Sequence, residues 1–384
     1  MNRNTRVDVA RGFLMLYIIA VIHGIYWLQL IGGSARSILL FEMPCIFFLS
    51  GYSYSLAQAA GVQINSVRRY CEYLLQRAVR ILVPYWFYAI ACLCVLFVKG
   101  DPQQFGTPEL KLSALTSWLN PLSYGRNYSM GELRGHLWFI PPFLAVTSLL
   151  PLVSKLSFRT APPTLMLVAF FCAIAWADYF FSDMARTILT YGIWALIGYV
   201  ANKKMVDSSE VDPRWGAAIL LLCISALSLN WYFNLGTMDM QSNKFPPNAT
   251  FFLFSVAWML VIMFAAPSVS DALVARLSKS RILQPFIKSG YSLYLWQGLG
   301  YTIAGYLGAK FALPSVGIWA IAVIATVGMG MLAAPMESFR LRQGGKNPPV
   351  ARDGSNEAAS QALGRPHSDN AAVPSPMKRF DSTP

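Results

Sequence analysis

Apolar residues fill the chain in runs of about 20, the length needed to cross a bilayer core as a helix, with short polar stretches between them. Ten such runs are predicted to be membrane-spanning helices, at roughly 9–30, 37–57, 79–98, 136–154, 162–179, 187–201, 215–234, 249–267, 285–308 and 314–335. The sixth is the shortest. The first, Val9 to Leu30, reads as a spanning helix and not as a cleaved signal, since it is long enough to cross and no small-residue cleavage site follows it. Two stretches depart from the pattern. Residues 99–135 form a long loop carrying Trp118, Tyr124 and Tyr128, which either covers a site or lies at the interface. Residues 337–384 are rich in Pro, Ser, Asn, Gly and Ala, a composition that buries no core and predicts a disordered tail. The reading is an all-α integral membrane protein of about ten transmembrane helices, with an embedded domain over 1–336 and a tail over 337–384.

Composition supports this pattern. The chain is 55% apolar and 13% charged, against about 25% charged in soluble domains. A net charge of +13 in a soluble protein would point to nucleic acid, but membrane proteins gather Lys and Arg in cytoplasmic loops. Alternating the ten segments from a cytoplasmic N-terminus puts 23 of the cations on the cytoplasmic side and 8 on the other. Both termini are therefore predicted to be cytoplasmic, in a multi-pass protein of the inner membrane whose surroundings are lipids and not nucleic acid. The six cysteines form no CxxC pair and no cluster with histidine. That excludes a disulfide framework and a zinc site, and no metal is expected.

An ionisable residue inside a spanning helix is costly and marks function by default. His23 lies about 14 residues into the first helix, about 10 Å below its outer end. It is either a structural histidine bonded to a neighbouring helix or a general base working near neutral pH. Glu42, about 7 Å into the second helix from the same side, either orients that imidazole as in a catalytic dyad or makes a structural hydrogen bond. Arg77 and Arg80 share a helix face. They form a fork for a phosphate, or flank the helix and meet lipid headgroups. His136 and Trp138 open the fourth helix, where an interfacial belt position is the alternative to a site role.

The same segments carry a resemblance. Val7-Asp8-Val9-Ala10-Arg11-Gly12 leading to His23 resembles the opening of acyltransferase family 3, and Met43-Pro44-Cys45-Ile46-Phe47-Phe48-Leu49-Ser50-Gly51-Tyr52 resembles its second-helix signature. Arg77-Ala78-Val79-Arg80-Ile81-Leu82-Val83-Pro84-Tyr85 resembles its Arg-x-x-Arg block. His136-Leu137-Trp138-Phe139-Ile140 and Ser289-Gly290-Tyr291-Ser292-Leu293-Tyr294-Leu295-Trp296 resemble two later blocks. Together they cover about residues 6–336 in order. The resemblance, closest to the fucose O-acetylase-like sugar O-acyltransferases, implies ten core helices and transfer of an acyl group, usually acetyl from acetyl-CoA, to a glycan. It implies essential roles for Arg11 and His23, and acyl-donor binding by Arg77 and Arg80. Two departures stand out. The family usually places ten residues between the basic residue and the histidine, whereas eleven separate Arg11 from His23. Twelve helical steps put the two about 120° apart, against about 20° for eleven. A π-bulge, a bent Arg11 side chain or an altered role for Arg11 would each account for this. Gln297 also stands where family members often have a histidine.

The expected function is acyl transfer from a cytoplasmic acyl-CoA to a hydroxyl of a cell-envelope or exopolysaccharide glycan, possessed of His23 as base, with the acceptor a polymer or a lipid-linked sugar. Trp138 and Tyr85 stack on a sugar or pack in the core, and Ser50 or a backbone N–H serves as oxyanion donor. The rival readings are a glycan or solute transporter or flippase without acyl transfer, and a non-catalytic membrane sensor or scaffold.

Overall fold

In a computed structural model of the protein, the described residues are 4–32, 34–62, 64–99, 118–122, 132–155, 163–206 and 213–337. The expected tail from 338 onward, and most of the 99–135 loop including Tyr124 and Tyr128, lie outside them. Among the described residues the protein is helical and has no named strand.

All ten predicted segments are helical. They are α1 (Thr5–Trp27), α2 (Glu42–Ala59), α3 (Val67–Lys99), α4 (Leu133–Val153), α5 (Pro163–Phe180), α6 (Asp183–Val206), α7 (Pro213–Tyr232), α9 (Ala249–Ala265), α11 (Gln284–Phe311) and α12 (Ser315–Glu337). Two short helices join them, α8 (Met240–Lys244) and α10 (Asp271–Ser278). Eight helices among the described residues are long and apolar enough to cross a membrane, so this is a membrane protein. The other two are informative exceptions. The apolar part of α5 is short, Leu165–Phe180. Helix α11 is diluted by Ser, Gln, Gly and Tyr, yet it holds more buried residues than its neighbours. A helix wrapped by other helices need not be apolar all round, and small and polar residues serve helix contacts within a membrane.

The sixth segment, predicted to be short, is a full 24-residue helix starting at Asp183. Its polar positions face protein: Asn202 Nδ2 donates to Ser55 Oγ at 3.0 Å and the Tyr199 hydroxyl donates to Gln58 Oε1 at 2.7 Å. The α2–α6 seam closes further at two glycines. A Cβ on Gly51 would fall 1.7 Å from the Ala195 carbonyl oxygen, and one on Gly198 would fall 2.0 Å from that of Phe48. The two backbones therefore touch, as small residues permit in membrane helix pairs.

Helix α1 resolves the Arg11–His23 spacing. It widens into a π-helix over Tyr17–Ile22, between the two residues. A π turn absorbs one extra residue, so twelve steps turn the helix about as far as eleven would. The π-bulge is thus the alternative the chain adopts. Side chains from elsewhere bond to the carbonyls of this wide turn. The Tyr301 hydroxyl of α11 donates to Ile19 O at 2.7 Å, and Trp319 Nε1 of α12 donates to Ala20 O at 2.6 Å.

Helix α11 carries a second irregularity. Ser289 leaves helical geometry (φ −131°, ψ 32°), which frees backbone donors just beyond it. Glu337, at the end of α12, caps them: its Oε2 accepts from Ser292 N and Ser292 Oγ, both at 3.1 Å.

Candidate active site

The residue that follows the π turn is His23. Its Nδ1 lies 2.7 Å from Gln297 Oε1 of α11. An amide oxygen only accepts, so Nδ1 carries the proton and Nε2 is left as the basic nitrogen. Trp27, one turn further along α1, stacks on the imidazole with centroids 4.1 Å apart. The ring is thus held in orientation and in tautomer by a neutral partner.

Around it lies a small open cleft. Its lining comes from the end of α1 (His23, Tyr26, Trp27), the start of α2 (Glu42, Met43), the start of α4 (His136, Trp138) and the α8 segment (Gln241, Lys244, Phe245). Tyr294 of α11 forms part of the wall. The cleft therefore sits at one end of the helix bundle, where these termini meet.

Glu42 does line the cleft, but its partner is Lys244 and not His23. The expected His23–Glu42 dyad is replaced by two separate pairs, because a cation stands beside the carboxylate and an amide beside the imidazole. Both members of the ion pair are almost fully covered, with side-chain exposures of 5% for Lys244 and 1% for Glu42. The Lys244 ammonium also lies 5.8 Å from the Trp138 ring centre and 5.3 Å from that of Phe245. Glu42 Oε2, Tyr26 OH and Gln297 Nε2 are buried and without a hydrogen-bond partner.

His136 is buried, which sets aside the solvated interfacial reading. Its Nε2–H donates to Leu295 O at 3.1 Å, its carbonyl accepts from the Tyr294 hydroxyl, and its ring centre is 6.5 Å from that of His23. Trp138 is half-buried in the cleft, edge-on to Phe245 at 4.7 Å.

Tyr85, Ser50 and Arg11 lie outside the cleft lining. Tyr85 is buried away from the cleft lining, and its hydroxyl donates to the Trp118 carbonyl; Trp118 in turn donates Nε1–H to Ala89 O at 3.0 Å. Of the two uses open to Tyr85, packing is the one it shows, and it anchors the Trp118 segment. Ser50 donates to Ile46 O at 3.0 Å within its own helix and is absent from the cleft lining, so it is not placed as an oxyanion donor. Arg11 lies about 18 Å of helix rise from His23, with its Nη2 2.5 Å from Ser53 Oγ.

The Arg-x-x-Arg pair occupies the other end of the bundle. Tyr88 of α3 packs against His136 with centroids 5.9 Å apart, and Arg77 precedes Tyr88 by about 16 Å of helix rise. Between them runs a column of rings. Tyr294 is 6.4 Å from His23, Phe139 is 4.5 Å from Tyr294, Phe143 is 5.7 Å from Phe139, and the Arg77 guanidinium lies 5.7 Å above Phe143. Arg77 Nε is buried without a partner. Arg80 is more exposed and sits 3.9 Å from Glu337.

Sequence reasoning missed Lys244, counting it only among the outer-side cations, and treated Gln297 only as a missing histidine. Lys244 had a signal. A carboxylate inside a helix bundle demands a cation, and few Lys or Arg residues fall on that side of the predicted topology.

A multi-helix membrane protein with a half-buried imidazole in a cleft and arginines at the far end of the bundle has the parts that group-transfer chemistry needs. The chain matches the family model described as an acyltransferase domain, acyltransferase family 3, over residues 4–334, and it belongs to that family. It is a membrane acyltransferase. No curated protein and no solved structure matches it.

Proposed function

We propose that this acyltransferase moves an acetyl group from cytoplasmic acetyl-CoA to a hydroxyl of a cell-envelope or exopolysaccharide glycan. In this reading the ten helices all cross the inner membrane and both termini are cytoplasmic. The observation that carries the proposal is the Nδ1 contact of His23 with Gln297, which leaves Nε2 as the base inside a cleft able to admit a hydroxyl. Nε2 takes the proton of the acceptor hydroxyl as its oxygen attacks the thioester carbonyl, and returns it to the departing thiolate. Gln297 keeps Nδ1–H oriented throughout.

Acetyl-CoA is the donor substrate, and the residues present suit its phosphates. Arg77 has a buried Nε with no partner and Arg80 an accessible guanidinium. Guanidinium groups bind phosphate through paired N–H bonds. The aromatic column from Phe143 to Tyr294 lies between the arginines and the imidazole, and in this reading the thin pantetheine arm runs alongside it.

Mass spectrometry of envelope glycans from cells with and without the protein tests the proposal. The expected result is loss of an acetyl mass from one glycan. Movement of a solute by the purified protein, with no acetylation of any glycan, would leave the transporter reading instead. For the donor end, Arg77→Lys is expected to raise the KM for acetyl-CoA about 10-fold or more, because a charged hydrogen bond contributes about 1.5–3 kcal/mol and lysine lacks the planar fork. An unchanged donor KM would remove Arg77 from the donor site.

A further inference from the structure

The Glu42–Lys244 pair is the strongest charged feature of the cleft, and proton transfer at His23 makes no use of it. Both residues line the cleft while being nearly covered by protein. Glu42 Oε1 accepts from Lys244, and Oε2 has no partner. An ammonium has three protons, of which Glu42 takes one. The pair therefore sets an empty acceptor and spare donors side by side, with no net charge between them. Tyr26 adds an unpartnered hydroxyl to the same cleft.

The chemistry of the occupant follows. An anionic group would face Glu42, and a cationic group would face Lys244. An apolar group would leave Oε2 buried and unsatisfied, which is expensive for a carboxylate. A hydroxyl donates and accepts at once, and so matches the pair.

Resting on the functional reading above, we propose that Glu42 and Lys244 determine acceptor specificity. They bind a second hydroxyl on the same ring as the one that is acetylated, and so hold the reacting hydroxyl against His23 Nε2. The recognised unit is then a neutral ring bearing two hydroxyls in fixed relation, and a lone alcohol is a poor acceptor. Glu42 becomes a binding residue and not the orienting member of a dyad.

The test uses the full-length protein in lipid nanodiscs, acetyl-CoA as donor, and methyl glycosides with their mono-deoxy analogues as acceptors. For the wild type, removing one hydroxyl other than the acetylated one is expected to lower kcat/KM at least about 100-fold, as sites built to bond a hydroxyl reject analogues that lack it. E42Q leaves a buried ammonium unpaired and risks misfolding, so the double variant E42Q/K244Q, which removes both charges, is measured beside it with thermal melting. In the folded double variant the deoxy penalty is expected to shrink below about tenfold. A penalty unchanged in that variant overturns the proposal, as does an equal slowing of every acceptor, which would mark the pair as scaffold. Both outcomes leave acetyl transfer itself standing. A wild type that acetylates none of the glycosides overturns the functional reading, and this proposal with it.

Discussion

Replacing His23 with alanine is expected to lower acetyl transfer about 100- to 10,000-fold, the usual contribution of a general base, in a protein that still folds. The imidazole is not what holds α1 in place. The helix is tied to its neighbours by Tyr301 and Trp319 at the π turn and by Arg6 to Asp271 at 2.7 Å near its start. The variant should therefore keep its melting temperature within a few degrees while losing turnover with labelled acetyl-CoA. Gln297→Leu provides the graded companion. It keeps the base but removes the acceptor for Nδ1–H, so the ring can adopt either tautomer, and the loss should be smaller than that of His23→Ala. Undiminished transfer in His23→Ala would rule out the proton-transfer role.

The second large effect is on stability. Gly51→Val is expected to destabilise the protein by more than about 3 kcal/mol, beyond the usual cost of overpacking. The added carbon would land on the Ala195 carbonyl oxygen, a backbone atom with no rotamer to escape into. Gly198 makes the reciprocal contact with Phe48 O, so α2 and α6 would have to separate along the seam that also carries the Asn202–Ser55 bond. Melting in detergent should show this as a large downward shift or a failure to accumulate. Gly305→Ala is the control. It lies in α11 with nothing within 4 Å of the added carbon, and alanine is about 1 kcal/mol better than glycine in a helix. A Gly51→Val protein as stable as that control would show that the α2–α6 contact is looser than described.

Much of the fold is visible in the sequence because a spanning helix announces itself by a run of apolar residues that needs no partner to be recognised. Segment α6 looks short because its ends carry Asp183, Arg186 and Asn202; Asp183 is exposed, while Asn202 bonds to Ser55 of α2 and Arg186 to Asp178 of α5 at 2.8 Å. The site divides along the same line. His23 stands out as an ionisable residue deep in an apolar run. Its bonding partner Gln297 is 274 residues away, and the Glu42–Lys244 pair spans 202. Such pairings are set by how helices pack, and no local pattern encodes them. Depth alone suggested that Glu42 would meet His23. The two do reach one cleft, but depth says nothing about which way around the helix each side chain points.

The π turn of α1 also orders the protein's assembly. Chains are made from the N-terminus, so α1 emerges first. The donors that bond to its widened turn, Tyr301 and Trp319, and the amide that bonds to His23 all belong to the last two helices. A ribosome-bound chain that has inserted only its first half thus holds an imidazole whose tautomer nothing fixes. The proposed base is therefore oriented only once the last two helices have joined the first.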